Sequence, residues 1–396
     1  MLPLENVRVV DLTEALAGPY GAMLLGDFGA DVIKIERPGA GDQSRRWGAR
    51  LPEDESAYFC STNRNKRSLT LNIQAPAGQA VLAQLLATAD VFICNIPRED
   101  SLRRAGLDWE TMHARFPRLI YVSITGYGRT GPSAGRSGYD LVAQGEAGLM
   151  SLTGTAATVP MRYPIPLADM TTGLYAVIGL LTALRVREQS GAGQHVDLSL
   201  LESQAAYLTI VAGDYFATGQ PPAPIGNAHP SIVPYQVFTA ADKDVIIAVG
   251  SDKQWAAFCG VLGLGPEVRD DPRFANNPAR LRHRAELIPV LAERLLTRPA
   301  AELLAQLRAV EIPCGPINTV PDLLADPHYQ ARGNLVTQRH SRAGEVQSLA
   351  NPIRLHGTPP AYRLPPPALG EHTDAVLTEL GYPSERIAEL RRDGVV

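Results

Sequence analysis

The chain reads as an α/β protein, with a large doubly wound (Rossmann-like) domain and a smaller α/β domain joined to it by two extended linkers. Three observations predict this: a strand–helix–strand opening, its repetition over the first third of the chain, and two proline-rich segments that interrupt the pattern. Short apolar runs alternating with helical stretches are the mark of a parallel sheet wrapped in helices. At 396 residues the chain exceeds the size at which one hydrophobic core usually keeps growing, so two domains are expected.

Residues 7–12 (VRVVDL) form the first strand, residues 18–21 (GPYG) a turn, residues 22–28 a helix and residues 32–35 the second strand. The turn lacks G-x-G-x-x-G spacing, so it gives no case for dinucleotide binding. A helix over 78–89, a strand over 91–94 and another over 119–124 continue the alternation. An apolar helix over about 170–187, a strand over 194–198 and a long helix over 200–218 follow. Residues 220–234 (QPPAPIGNAHPSIVP) are the first connector, because proline lacks the N–H and the free φ that a helix or central strand requires. Beyond it come a hairpin over 235–239 and 244–249, then helices over 253–262, 280–296 and 299–310. Residues 336–349 pair as strands, 351–370 form a second proline-rich connector, and 373–380 a final helix. The expected division is a large domain over 1–219, a linker over 220–234, a small domain over 235–325, and a return segment over 326–396 that completes the large domain.

Composition narrows the partners. A net charge of −4 and a pI near 6.1 give no electrostatic case for nucleic acid or an anionic membrane, so any basic site must be local. Cys60, Cys94, Cys259 and Cys314 make no CxxC pattern, and no histidine pair has metal-ligand spacing. No charged leader precedes an apolar stretch, and no apolar run is read as long enough to span a bilayer. A reduced cytoplasmic protein without metal or membrane partner is the expectation.

Asp169 is the most informative residue. It stands at the opening of the apolar helix in the run IPLADMTTG, where aspartate is a favoured N-cap. A carboxylate there can also act as a covalent nucleophile, since the helix dipole favours its ionised form and free backbone N–H groups lie nearby for a developing oxyanion.

Several blocks taken in order carry a resemblance. They are VVDLT and LAGP near residues 9–19, GADVIKIERPGAGD over 29–42, NRNKRSL over 63–69, ITGYGRTGP over 124–132, Gly138-Tyr-Asp140, the Asp169 helix, GPIN over 315–318 and LGEH over 369–372. Over nearly its whole length the chain resembles the family III CoA-transferases, the CaiB/BaiF group. The resemblance implies an enzyme in which Asp169 is the nucleophile and a coenzyme A thioester is substrate, with no tightly bound cofactor. It implies CoA contacts at Leu16, Ala17, Arg37, Leu71, Asn95, Arg104 and Tyr139. It implies a mobile loop over the site at Gly226, Asn227, Ala228 and His229, and an interlocked homodimer. Arg45, Arg46, Lys66 and Arg67 are read as solvated faces.

Leu16 replaces a glutamine that holds oxalate in the formyl-CoA transferases, and Ser137 replaces a lysine of that subgroup, which argues against an oxalate acceptor. The stretch over 226–238 resembles enzymes that use succinyl-CoA to activate short dicarboxylates such as glutarate, citramalate or itaconate. Formyl-CoA-type, carnitine and bile-acid transferases stay open as alternatives. So does an α-methylacyl-CoA racemase of the same fold, against which Tyr139 stands where the racemases carry a catalytic histidine.

Overall fold

Strand β1 (Arg8–Leu12) lies inside a parallel sheet with β2 (Asp31–Glu36), β3 (Lys66–Thr70), β4 (Val91–Cys94), β5 (Ile120–Thr125) and β6 (His195–Ser199), in the order β3-β2-β1-β4-β5-β6. The structure, a computed structural model, describes residues 1–396. Its helices in this region are α1 (Ala17–Asp27), α2 (Ala57–Thr62), α3 (Pro76–Ala87), α4 (Glu99–Ala105), α5 (Trp109–Arg115), α6 (Asp140–Glu146), α7 (Leu167–Ser190), α8 (Leu200–Ala205) and α9 (Thr209–Thr218).

Successive side chains of a strand point to opposite faces, and both faces of this sheet are covered. Val9, Val32, Val91, Ile93 and Val122 pack with residues of α1 and α7, while Val10, Ile33, Phe92 and Tyr121 pack with residues of α3, α4 and the C-terminal helices. Burial on both faces is why these strands read as continuous apolar runs instead of alternating ones.

The chain divides into two compact units. The first comprises residues 1–150, 162–220 and 331–396; the second comprises 151–161 and 221–330. Residues 221–234, read above as a connector, are counted in the second unit. That unit has its own core, in which Phe238, Val245, Ile247, Trp255, Phe258 and Leu287 are buried. Its hairpin β7 (Tyr235–Thr239) and β8 (Asp244–Ala248) is joined by a third strand, β9 (Cys314–Pro316), too short to be seen in the sequence. In the first unit a separate hairpin pairs β10 (Leu335–His340) with β11 (Gly344–Leu349). The proline-rich segment over 351–370 carries no helix or strand and is pinned to the same unit: Asn65 accepts from the Arg363 and Leu364 N–H groups, and Asn351 donates to Asp27.

Five elements differ from the expectation. Residues 18–21 are not a turn but the first part of α1: Pro19 needs no N–H in a first helical turn. The glycines there serve packing. A Cβ on Gly21 would stand 3.0 Å from the Gly173 carbonyl oxygen, and one on Gly173 would stand 2.7 Å from that of Ala17, so α1 and α7 cross with backbones in near contact. The helix expected over 200–218 is broken by a 3-10 turn at Ala206–Leu208, and the one over 280–296 breaks at His283. A last helix, Ser384–Arg392, escaped notice because its surface is charged and Ile387 and Leu390 are its only buried residues. Finally, α7 has 24 residues and is long and apolar enough, by length and composition, to cross a membrane, contrary to the reading above; half of that stretch is buried inside the fold.

Candidate active site

The strand order reverses between β1 and β4, and a cavity of about 910 Å³ opens there, at the carboxyl ends of the strands. Open α/β sheets bind ligands at this switch point, where the loops leaving two neighbouring strands part to opposite sides. Leu12 at the end of β1, Glu36 at the end of β2, Asn95 just past β4 and Thr125 at the end of β5 all line the cavity. Its whole lining comes from the first unit.

Asp169 is among the lining residues, at the third position of α7. It is therefore not the N-cap: Pro166 holds that place and Asp169 makes no capping bond. Two of the free donors expected at this helix end are already engaged. The Leu167 N–H bonds the Ile165 carbonyl, and the Ala168 N–H donates to Asp140 Oδ1 at 2.8 Å. Asp140, at the start of α6, thus caps α7 from another element, and its second oxygen accepts from Gln144 at 2.8 Å. The contact of Asp140 with α7 spans 28 positions, so no local pattern in the sequence shows it.

The Asp169 carboxylate has no hydrogen bond or ion pair within the chain. Burial, reinforced by the neighbouring Asp140 charge, pushes its pKa up to about 7, so the helix dipole does not govern its ionisation as expected. Tyr58 lines the same cavity, its phenol pushed up to about 12 by burial and then by the Asp169, Asp42 and Asp140 charges. It packs edge-on against Trp47, another lining residue that no sequence signal singled out.

The expected CoA contacts divide. Leu16, Ala17, Arg37, Leu71, Asn95 and Tyr139 all line the cavity. Leu16, Ala17 and Leu71 are buried, Tyr139 is exposed, and Arg37 is half exposed and paired with Glu14 at 3.0 Å. Arg104 is not part of the lining and lies on exposed α4, with a guanidinium nitrogen 3.3 Å from Ser101. Asn95 uses both ends of its amide on the Glu14 backbone. Lys66, read as solvated, is buried and bonds Asp11 at 3.0 Å; Arg45 and Arg67, read the same way, are partly buried and paired, with Glu36 at 2.7 Å and Asp31 at 2.8 Å. Leu16 and Ser137, the two positions that argue against oxalate, both face the cavity.

Gly226, Asn227, Ala228 and His229 belong to the second unit. Gly226 takes a φ of 65° and donates to the Gly154 carbonyl at 2.7 Å, and the His229 ring stacks on Tyr235 at 5.0 Å.

The site is thus a cavity of mixed apolar and polar wall with one unpaired, partly desolvated carboxylate. Known proteins resemble the chain over nearly its whole length. The family model for CoA-transferase family III matches residues 4–373. A succinate–glutarate CoA-transferase of Agrobacterium fabrum is 41% identical over 96% of both chains. A succinyl-CoA:glutarate CoA-transferase of Homo sapiens is 39% identical over 100% of this chain and 90% of its own. Among solved structures, a CaiB/BaiF family protein from Brucella suis is 41% identical and superposes with a TM-score of 0.85, covering 96% of this chain and 99% of its own.

Proposed function

The chain belongs to CoA-transferase family III, and we propose that it moves CoA from succinyl-CoA to a five-carbon dicarboxylic acid such as glutarate, citramalate or itaconate, through a covalent intermediate on Asp169. The unpaired Asp169 carboxylate in the cavity carries this reading. A carboxylate whose pKa is raised toward neutrality is more basic, and so more nucleophilic, than a solvated one, yet a large part of it is still ionised at pH 7.

The steps balance without an external energy source. Asp169 attacks the thioester carbonyl, the carbon–sulfur bond breaks, and a mixed anhydride and CoA thiolate form. The thiolate attacks the aspartyl carbonyl and releases the donor acid, leaving an aspartyl thioester. The acceptor carboxylate attacks that thioester and the thiolate returns to the acceptor's acyl group, which restores Asp169. Leu12, Leu16, Ile35, Leu71 and Ile96 supply apolar wall for the pantetheine arm, and Arg37 a cation at the rim. Water must be kept from the anhydride for the transfer to be complete. The dicarboxylate preference rests on the names of the relatives and on Leu16 and Ser137.

Incubation with succinyl-CoA and a panel of four- to six-carbon dicarboxylates, read by mass spectrometry, is expected to give free succinate and the acceptor's CoA ester in equal amounts. Turnover with oxalate or carnitine but not with the dicarboxylates would overturn the substrate assignment.

We infer also that the chain works as an interlocked homodimer. Leu174, Tyr175, Ile178 and Leu181 form an exposed apolar stripe on one face of α7, and Ile210 and Phe216 are about four-fifths exposed on α9. Single exposed apolar residues are ordinary, but a contiguous stripe favours association. Of the connector residues, Ile225 is exposed while Val233 is already buried in the second unit's core, so Ile225 is free to be covered and Val233 is not. Sedimentation at nanomolar concentration is expected to find a dimer; a folded monomer there would refute interlocking.

A further inference from the structure

Five consecutive residues, Thr13, Glu14, Ala15, Leu16 and Ala17, line the cavity between β1 and α1. In their midst Ala15 has a φ of 71°, the left-handed region that a residue with a Cβ rarely enters. Such a conformation persists only where its surroundings over-determine it. Here three buried or half-buried side chains do so. Lys34 donates to the Thr13 carbonyl at 2.7 Å. Asp42, paired with Lys34 at 2.8 Å, accepts from the Ala15 N–H at 3.1 Å. The Asn95 amide closes on Glu14 from both sides, accepting from its N–H at 3.1 Å and donating to its carbonyl at 2.8 Å.

The side chains of Lys34 and Asp42 are completely buried. Burial works against both charges, but their mutual attraction, with Asp11 and Glu36 acting on Lys34, keeps the pair ionised. Taking two charges out of water is costly, and such a pair is weak as a source of stability. Its bonds all go to the loop or to the turn that carries Asp42, which makes sense if loop geometry is what it secures.

We propose that Lys34, Asp42 and Asn95 are positioning residues for the transfer reaction, which hold the left-handed turn at Ala15 and so set the wall against which the thioester reacts. This rests on the reading of the cavity as the transfer site. Asn95 then acts through the Glu14 backbone, on which both ends of its amide are engaged.

Two variants that leave the buried ion pair intact test this. Asn95→Ala is expected to lower kcat about 10- to 100-fold, the effect of a misplaced reacting group, while KM for the acyl-CoA stays within about twofold. Ala15→Gly is expected to lower kcat without lowering the melting temperature, because glycine tolerates the turn but does not hold it. Both should speed hydrogen–deuterium exchange in the peptide covering residues 13–17. A raised KM at unchanged kcat in Asn95→Ala would make Asn95 a ligand contact and overturn the proposal, as would unaltered exchange in that peptide. The exchange measurement needs no turnover. If the wild-type chain moves no CoA, the proposed function fails, and the clamp is still judged by exchange.

Discussion

Asp169→Ala is expected to lose CoA transfer by roughly 10³-fold or more while keeping its fold and its affinity for CoA. The large factor follows from what is removed: no second carboxylate can take over, because Asp140 is committed to the Ala168 N–H and to Gln144, Glu14 to Arg37 and Glu36 to Arg45. Nothing structural goes with it, since the Asp169 carboxylate bonds no other group in the chain and α7 is capped by Asp140 instead. Asp169→Glu places the carboxylate one methylene further into the cavity and is expected to lose about 100-fold, the usual consequence of a displaced reacting group. Treatment of the wild-type chain with acyl-CoA and hydroxylamine should convert Asp169, and no other acid, to a hydroxamate detectable by peptide mass spectrometry. Near-normal turnover in Asp169→Ala would exclude the covalent route and leave direct attack of the acceptor on the thioester.

What the sequence displayed and what it hid differ in range. The strands of the parallel sheet were legible because burial on both faces makes each an unbroken apolar run, and Asp169 was legible because its motif is contiguous. The groups that tune the site were not. Asp140 reaches α7 across 28 positions, Lys34 meets Asp42 through a loop, and Asn95 comes from the far side of the switch point. Charged residues such as Lys66 and Arg45 read as surface because their partners, Asp11 and Glu36, are brought beside them only by strand pairing and loop packing. Position in the helix was misjudged for a related reason: Asp169 looked like a cap, and only the contact with Asp140 shows that the cap lies elsewhere.

The charge on Asp169 also predicts how rate and stability change with pH. With its pKa near 7, kcat/KM for the acyl-CoA is expected to rise through an inflection near that pH and to lie about 100-fold below its plateau at pH 5. Asp140→Asn removes the like charge but leaves the burial, which is the larger cause, so the inflection should move down part of the way toward the ordinary carboxylate range. The amide introduced by that substitution still offers an oxygen to the Ala168 N–H, so the helix cap survives the change. Stability follows with the opposite sign. The unfolded chain releases this proton near pH 4 and the folded chain near pH 7, so the folded state holds a proton across that interval that the unfolded state has lost. Folding stability from this group is therefore complete below pH 4, falls as pH climbs to 7, and stays low above it. Asp169→Asn escapes that loss. Because the carboxylate is only half-buried, solvent screening reduces the penalty, and the variant is expected to exceed the wild type by about 1–2 kcal/mol at pH 8 and to match it at pH 4. Urea unfolding at the two pH values measures this directly. A variant no more stable than wild type at pH 8 would mean that Asp169 ionises without cost in the cavity, and the inflection near 7 would have to belong to another group.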